Sequence, residues 1–331
     1  MTACDNGKTV LIVEDLYKVF KLPLGLLPWM LGRKAEMVTA VDHVSLRVEE
    51  GEILGVVGES GCGKTTLLRC IARIYQPDAG RILFEGKDLT KANASELREV
   101  RRKIQVIFQD PYSSLNPRLR VGQMLDEILK VHQIVPPEER RDRAVQLLEM
   151  VGLGPEALGR FPSQFSGGQR QRIGIARALA LQPTLLLADE PVSALDVSIQ
   201  AQIINLLADL QEQLRLTMLF VSHDLRVVRH ISGRVAIMYL GKIMEMGPTE
   251  AVFGNPLHPY TRVMLAAAPE LDPTRRNVVP AVQGDPPSPI HIPPGCRFHP
   301  RCPVARDSCR LEIPDLQEVA PNHFVACSQL H

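Results

Sequence analysis

The feature that most constrains this fold is a glycine-rich octapeptide, GESGCGKT, at residues 58–65. The apolar run ILGVV precedes it, and a pattern that places Leu67, Leu68, Ile71 and Ile74 on one helical face follows it. A loop of this kind curls its backbone N–H groups inward, and the helix N-terminus behind it adds positive partial charge. The pattern therefore predicts a strand, loop and helix that cradle a triphosphate.

Each position of the octapeptide has an expected part in holding that ligand. The glycines allow the tight turn, Lys64 reaches the β- and γ-phosphates, and the Thr65 hydroxyl ligates Mg²⁺. Cys62 fills a variable position and needs no function beyond fitting there. The residues expected to contact this triphosphate ligand are Gly58, Ser60, Gly61, Cys62, Gly63, Lys64, Thr65 and Thr66.

Between about Val10 and Gly254, β-branched runs alternate with helical patterns, for example IQVIF at 104–108 and TMLFVS at 217–222. This alternation predicts an α/β fold with a mostly parallel sheet. Residues 111–182 have a helical pattern and are predicted to form a subdomain inserted into the sheet domain.

Three segments of the chain are expected to differ in organisation. Residues 1–254 are predicted to form one α/β domain that contains the octapeptide, since the alternating pattern runs through them. Residues 255–295 become rich in proline, which favours extended backbone and indicates a linker. Residues 296–331 are predicted to form a small cysteine-rich tail.

Polar side chains follow three of the predicted strands, where ligands of parallel sheets collect. Asp189 and Glu190 end the run LLLADE, a pattern in which Asp189 holds Mg²⁺ and Glu190 polarises an attacking water. Gln109 ends IQVIFQ and can reach metal and water, and His223 follows TMLFVS, where an imidazole can contact a γ-phosphate. A structural role for each of these side chains is the alternative.

The segment FSGGQ at 165–169 opens another predicted helix. Ser166 and Gln169 suit a capping box, in which each side chain bonds the backbone N–H of the other residue. A capping box does not explain Gly167 and Gly168, because adjacent glycines weaken the first turn of a helix. They would, however, expose backbone N–H groups to an anion.

Taken in order, GESGCGKT, Gln109, FSGGQ, LLLADE, SALD at 193–196 and His223 resemble the ABC ATPase family. The resemblance implies a dimer in which two cassettes enclose two ATP molecules, with the phosphate loop of one chain facing the FSGGQ turn of the other. It implies that Glu190 is the catalytic base and His223 the switch residue, and that Phe20, or else Tyr17, stacks on adenine. The residues implied to act across the dimer are Ser166, Gly167, Gly168, Gln169 and Asp196. Those implied to hold Mg²⁺ are Thr65, Gln109 and Asp189.

Further segments resemble the ATPases of dipeptide and oligopeptide importers, a branch that includes nickel and opine systems. They are residues 109–118, 189–202, 255–265 and 295–303. With the insertion at 21–37, the chain most resembles the second of two ATPase subunits in these importers. The resemblance implies a homologous ATPase partner (a heterodimer, with a homodimer as the alternative), two transmembrane permease subunits and, indirectly, an extracytoplasmic substrate-binding protein.

Charge and hydropathy limit the location and partners that we expect. The net charge is +1, so no overall field favours nucleic acid, and none is expected as a partner. We find no secretion signal or membrane span, and the apolar run at 22–31 is interrupted by Pro23, Gly25 and Pro28. We expect a peripheral protein on the cytoplasmic face of the bacterial inner membrane. A non-transport ABC ATPase is the rival class.

Four of the seven cysteines, Cys296, Cys302, Cys309 and Cys327, lie close to the end of the chain. In a reducing compartment such crowding favours metal ligation over disulfides, although the spacing matches no common zinc finger. Four thiolates suit a [4Fe–4S] cluster or a structural zinc ion. The family resemblance favours the cluster, and zinc or free thiols are the alternatives.

Overall fold

The structure of the protein is a computed structural model that describes residues 8–22, 36–110, 115–267 and 287–329. The strands are β1 (Thr9–Lys21), β2 (Met37–Glu49), β3 (Ile53–Val57), β4 (Ala79–Phe84), β5 (Lys87–Asp88), β6 (Ile104–Ile107), β7 (Leu185–Asp189), β8 (Thr217–Ser222), β9 (Arg234–Tyr239), β10 (Lys242–Pro248), β11 (Gln317–Ala320) and β12 (His323–Val325). The α-helices are α1 (Lys64–Ile71), α2 (Ala94–Lys103), α3 (Val121–Val131), α4 (Arg140–Met150), α5 (Gly167–Leu179), α6 (Val197–Leu214), α7 (Leu225–Ile231), α8 (Thr249–Gly254) and α9 (Pro259–Ala267).

The chain divides into two compact units, each built from separate stretches of sequence. The first unit is made of Met1–Leu11, Arg47–Ile53 and Phe84–Ser222. The second is made of Ile12–Leu46, Leu54–Leu83 and His223–His331.

The first unit contains a parallel sheet segment in the order β6, β7, β8. Every residue of β7 and β8 is buried, as expected for parallel strands that are covered on both faces. Helices α3, α4 and α5 pack against one another, and α5 also contacts β6 and α6. Helix α5 thus connects the other two helices to β6, the strand that precedes Gln109.

The second unit contains parallel strands β3 and β9, followed outward by antiparallel β10, β12 and β11. Its other sheet segment has the order β2, β1, β4. Strands β11 and β12 come from the cysteine-rich segment, where Val325 pairs with Glu245 and Phe324 with Met246 of β10. The end of the chain therefore extends a sheet, a role that the sequence analysis did not predict.

The α/β fold with a mostly parallel sheet and additional helices is confirmed. No helix of the described residues is long and apolar enough to cross a membrane. Two segments that the sequence distinguishes lie partly outside the described residues. They are the insertion at 21–37, of which 23–35 are not described, and the segment after Gln109, of which 111–114 are not described.

Candidate nucleotide-binding and hydrolysis site

The glycine-rich octapeptide at 58–65, called the phosphate loop below, connects the buried strand β3 to helix α1 in the second unit. Gly61 and Gly63 have φ of 78° and 106°, in the left-handed region that suits glycine. A Cβ atom at Gly63 would lie 1.9 Å from the Ala40 carbonyl oxygen, and one at Gly58 would lie 2.1 Å from the Met238 carbonyl oxygen. Glycine is therefore required at Gly58 and Gly63 by close backbone packing and not only by loop flexibility.

The Lys64 side chain folds back over this loop. Its Nζ atom donates hydrogen bonds to the carbonyl oxygens of Gly58 at 2.8 Å and Glu59 at 3.0 Å. The side chain is only 4% exposed, so its ammonium group is held inside the loop. An ammonium placed there can exchange carbonyl oxygens for phosphate oxygens with little movement of the chain.

The remaining predicted ATP contacts surround Lys64 along the chain. Ser60 is exposed, while Thr65 and Thr66 are half-buried on the first turn of α1. Cys62 is 3% exposed, and burial raises the pKa of its thiol despite the nearby Lys64. Cys62 is thus a buried side chain that packs within the loop, and its contact with ATP stays a prediction.

In the first unit, the structure brings Gln109 and Glu190 together. The Gln109 side-chain amide donates a hydrogen bond to the Glu190 carboxylate, with 3.1 Å between Nε2 and Oε2. Glu190 has φ of 45°, an unfavourable backbone conformation for a residue with a side chain. Its N–H donates to the Val221 carbonyl oxygen at 3.0 Å, which holds the residue at the end of the sheet. Backbone strain of this kind is common at catalytic positions.

Asp189 precedes Glu190 and is 2% exposed at the end of β7. The Ser193 hydroxyl donates to the Glu190 carbonyl oxygen at 3.1 Å, which closes the turn after the strand. Carboxylate, amide and hydroxyl oxygens are the ligands that Mg²⁺ prefers, so Asp189, Gln109 and Thr65 have suitable chemistry. Asp189 and Gln109 belong to the first unit, and Thr65 to the second.

The FSGGQ turn forms the predicted capping box at the start of α5. The Gln169 N–H donates to the Ser166 hydroxyl at 3.3 Å, and the Ser166 N–H donates to the Gln169 side-chain oxygen at 3.0 Å. A Cβ atom at Gly168 would lie 2.4 Å from Ile199 of α6. Gly168 thus has a packing reason that sequence spacing did not reveal, in addition to any contact with an anion.

Three other predicted residues occupy distinct places. His223 follows β8 and begins the last stretch of the second unit, while Asp196 is the N-cap residue of α6. The Phe20 ring is half-buried and packs edge-on against Tyr75, with 5.3 Å between ring centroids. Tyr17, the alternative to Phe20, lies 5.3 Å from the His43 ring.

The four tail cysteines line one small pocket of the second unit, together with His258, Phe298 and His299. None of the four forms a disulfide. Burial, with smaller contributions from the other three thiols, raises the pKa of Cys296 to about 11. Among the described residues, no group of three or more His, Cys, Asp or Glu side chains has the arrangement of a metal site. The cysteines are thus neighbours, but their side chains do not have the geometry of bound ligands.

Comparison with known sequences identifies the family. The chain is 51% identical to the oligopeptide transport ATP-binding protein AppF of Bacillus subtilis, over 99% of both chains. It is 47% identical to the di/tripeptide transport ATP-binding protein DppF of Pseudomonas aeruginosa, over 97% of both chains. The ABC transporter family model matches residues 41–193. The chain belongs to this family. A second model, the C-terminal region of oligopeptide and dipeptide transporters, matches residues 244–309.

Solved structures of ABC ATPases agree with the assignment. The ATP-binding cassette MJ0796, determined as a dimer in a post-hydrolysis state with ADP and Pi, is 31% identical. The similarity has a TM-score of 0.63 and covers 72% of this chain and 98% of that one. The ABC ATPase fold, expected from the motif order, is therefore confirmed.

Sequence reasoning missed the residues that support the phosphate loop from the end of the chain. Arg301 forms an ion pair with Glu59, and the Tyr260 hydroxyl accepts a hydrogen bond from the Glu59 N–H. They lie 242 and 201 positions from Glu59 in the sequence. No local pattern could have related them to it, because only folding brings them together.

Proposed function

We propose that this chain is the ATP-binding and ATP-hydrolysing subunit that energises an importer of dipeptides or oligopeptides. The observation that carries the proposal is the coexistence of the phosphate loop with the C-terminal region of peptide transporters at 244–309. Relatives named for peptide transport match almost the whole chain, which supports the same conclusion. The domain limits 1–254, 255–295 and 296–331 remain part of this proposal.

In this proposal the phosphate loop binds the nucleotide. Lys64 exchanges its contacts with the Gly58 and Glu59 carbonyl oxygens for the β- and γ-phosphates. The backbone N–H groups around Gly61 and Gly63 and the N-terminus of α1 offset the remaining negative charge. Thr65, Gln109 and Asp189 would hold Mg²⁺, which neutralises charge on the phosphates when it is bound.

Glu190 is proposed as the base that orients and polarises the attacking water, and Gln109 keeps the carboxylate in place. Their 3.1 Å hydrogen bond supports this pairing, because a base must be held within reach of its proton. His223 is proposed to contact the γ-phosphate. Phe20 is proposed as the adenine platform, which requires its ring to keep one face accessible beside Tyr75.

Hydrolysis is proposed to need two cassettes. Ser166, Gly167, Gly168 and Gln169 would face the nucleotide of the other cassette, with Asp196 coupling the two sites. The α5 N-terminus that Ser166 caps suits an anion for the reason that applies to the phosphate loop. The partner is a homologous ATPase subunit or, as the alternative, a second copy of this chain.

The assembled pair is proposed to act from the cytoplasmic face of the inner membrane on two permease subunits, which receive peptide from an extracytoplasmic binding protein. ATP binding closes the pair and hydrolysis reopens it, and the different affinities of the two states drive transport. The segment after Gln109 is proposed to contact the permeases.

We also propose that Cys296, Cys302, Cys309 and Cys327 hold a [4Fe–4S] cluster, with zinc as the alternative. Two points support this proposal. Four thiols line one pocket, and thiolates are the usual ligands of such clusters. A small segment with little hydrophobic core also gains stability when a bound metal crosslinks it. Ligation requires the thiols to lose their protons and move to metal distance. Iron, sulfide and zinc analysis of anaerobically purified protein tests the proposal, and a metal-free, folded segment would contradict it.

Uptake assays test the function as a whole. A strain that lacks the gene should lose uptake of labelled dipeptides or longer peptides, and the wild-type chain should restore it while Lys64→Ala does not. Restored uptake of nickel alone would transfer the cargo assignment to the related metal systems. If no solute uptake depends on the chain, the transport proposal is wrong and a non-transport ABC ATPase becomes the better account.

A further inference from the structure

The phosphate loop contains a carboxylate, Glu59, and a residue of the cysteine segment pairs with it. Arg301 Nη1 lies 3.2 Å from Oε1 and 3.0 Å from Oε2 of Glu59. The Arg301 side chain is 10% exposed and that of Glu59 is 29% exposed, so water screens this ion pair less than it would a surface pair. Arg301 also lies over the Tyr239 and Phe298 rings, 6.0 Å from each centroid.

The backbone of Glu59 is held as well. Its N–H donates to the Tyr260 hydroxyl oxygen at 3.2 Å. The Tyr260 ring is completely buried and packs against Tyr239 and Phe298, with centroid distances of 4.6 and 5.3 Å. A hydroxyl on such a rigid support fixes the direction of this N–H, and with it the entry into the loop.

A second attachment reaches the other side of the loop. Arg297 forms a buried hydrogen-bonded ion pair with Asp42. The Asp42 N–H donates to the Gly241 carbonyl oxygen at 2.9 Å, and the Gly241 N–H donates to the Cys62 carbonyl oxygen at 2.8 Å. The stretch 296–302 thus supports the loop at Glu59 through one arginine and at Cys62 through the other.

We propose that Arg301 and Tyr260 are positioning residues for nucleotide binding, which act on the phosphate loop through Glu59. This inference rests on the proposed function of the loop. An anion-binding loop that carries its own carboxylate repels the triphosphate unless that charge is compensated, and Arg301 supplies the compensation. Tyr260 fixes the loop before the ligand arrives, so less ordering is required on binding.

The stretch that carries both arginines begins at Cys296 and ends at Cys302, and these two thiols line the same pocket. Metal ligation by these cysteines, if it orders this stretch, would therefore also order the contacts that its arginines make with Glu59 and Asp42. The C-terminal segment would in this way contribute to nucleotide affinity without touching the nucleotide.

The test uses the full-length chain and titrates Mg-ATP while the hydrolysis rate is measured separately. Replacing Arg301 with Met should weaken ATP affinity about tenfold, corresponding to about 1.4 kcal/mol, with a much smaller change in kcat. Arg301→Lys should recover most of the affinity. Arg306→Met removes an exposed arginine of the same segment and should bind ATP like the wild type.

The double variant distinguishes action through Glu59 from general loss of structure. If Arg301 compensates the Glu59 charge, adding Glu59→Gln to Arg301→Met should restore affinity, because the uncompensated carboxylate is gone. Tyr260→Phe should weaken ATP affinity about threefold and speed amide hydrogen exchange at residues 59–65, since it removes one hydrogen bond.

Two outcomes overturn the inference: wild-type ATP affinity in Arg301→Met, or no recovery of ATP affinity in the double variant. If Arg301→Met does not fold, Arg301→Gln, which also removes the charge, decides by the same criteria, alone and in combination with Glu59→Gln. Lys64→Ala tests the proposed function independently. If it keeps full ATP affinity, the loop itself is not the site, whatever Arg301 does.

Discussion

The phosphate loop and the cysteine segment at 296–327 belong to the same compact unit but obtain their structure in opposite ways. The loop is defined by neighbours in sequence: a buried strand before it, a helix after it and glycines between them. The cysteine segment has two short strands and two short 3₁₀ helices, and large apolar side chains such as Leu311 and Ile313 are exposed. It is held by a few contacts with residues far away in the sequence.

The two regions differ in how far a local sequence pattern can predict their structure. A tight turn with left-handed residues needs particular amino acids at fixed spacing, so the loop is visible as a motif. A segment anchored by Phe298, Arg297 and Arg301 needs only suitable partners elsewhere, and these have no fixed spacing. We therefore expect small substitutions within the loop to have large effects, whereas the segment should be destabilised mainly by substitution of its buried anchors.

The largest effect is expected in the loop. Lys64→Ala removes the ammonium group held over Gly58 and should lower ATP hydrolysis by about 100- to 1,000-fold, as for loss of other preorganised charges at a reaction site. Phosphate release from the purified assembly measures it. Lys91→Ala, which changes an exposed lysine, is the control. Equal rates in both variants would mean that the loop is not catalytic.

The next effect concerns the anchors of the segment. Phe298 is completely buried against Tyr239 and Tyr260, so Phe298→Ala should lower the free energy of unfolding by about 4 kcal/mol. Val304→Ala, at an exposed site in the same segment, should change it by about 0.5 kcal/mol or less. Denaturant titration compares them, and similar losses would show that the segment has no dominant anchor.

Two glycines of the loop separate the effect of backbone conformation from the effect of close packing. Gly63→Ala combines a left-handed backbone with a Cβ 1.9 Å from the Ala40 carbonyl oxygen, and should destabilise the fold by about 3 kcal/mol. Gly61 has a similar φ but open space around its Cβ position, so Gly61→Ala should cost only about 1 kcal/mol. If both variants unfold at the same temperature, close packing does not matter at Gly63.

The smallest effect is expected at Asp224, where the local chain again defines the structure but little is buried. Asp224 caps α7 by accepting the Arg226 N–H at 2.9 Å. Burial by itself would raise its pKa, but the hydrogen bonds from Arg226 outweigh this and the folded-state pKa is lowered. The ionised carboxylate therefore stabilises the fold when the pH is above 3.8, the usual pKa of this group. This stabilisation is lost as the pH falls below 3.8 and through the lowered folded-state pKa.

Asp224→Ala should accordingly cost about 1 kcal/mol near pH 7 and less at pH 3. The free energy of unfolding measured at both pH values tests the sign. A cost that is constant between the two would assign the effect to helix propensity and not to the charged cap.

Much of the candidate site was predictable because its parts are local. The turn at Gly58 to Thr65, the carboxylates at the end of β7 and the Ser166 capping box all depend on residues within a few positions of one another. The hydrogen bond between Gln109 and Glu190 was not predictable as a contact, since it depends on how β6 and β7 pair. The assigned roles of these residues in ATP hydrolysis remain predictions.

The amino-acid sequence alone determined the fold class and the family, and it predicted the positions proposed to carry phosphate chemistry, since glycine conformation, strand pattern and helix capping act over short distances. Only the tertiary structure decided why Gly63 and Gly168 cannot carry a side chain, that β12 joins β10, and that Arg301 and Tyr260 support Glu59. These are contacts between atoms distant along the chain, and their partners are specified by packing in space.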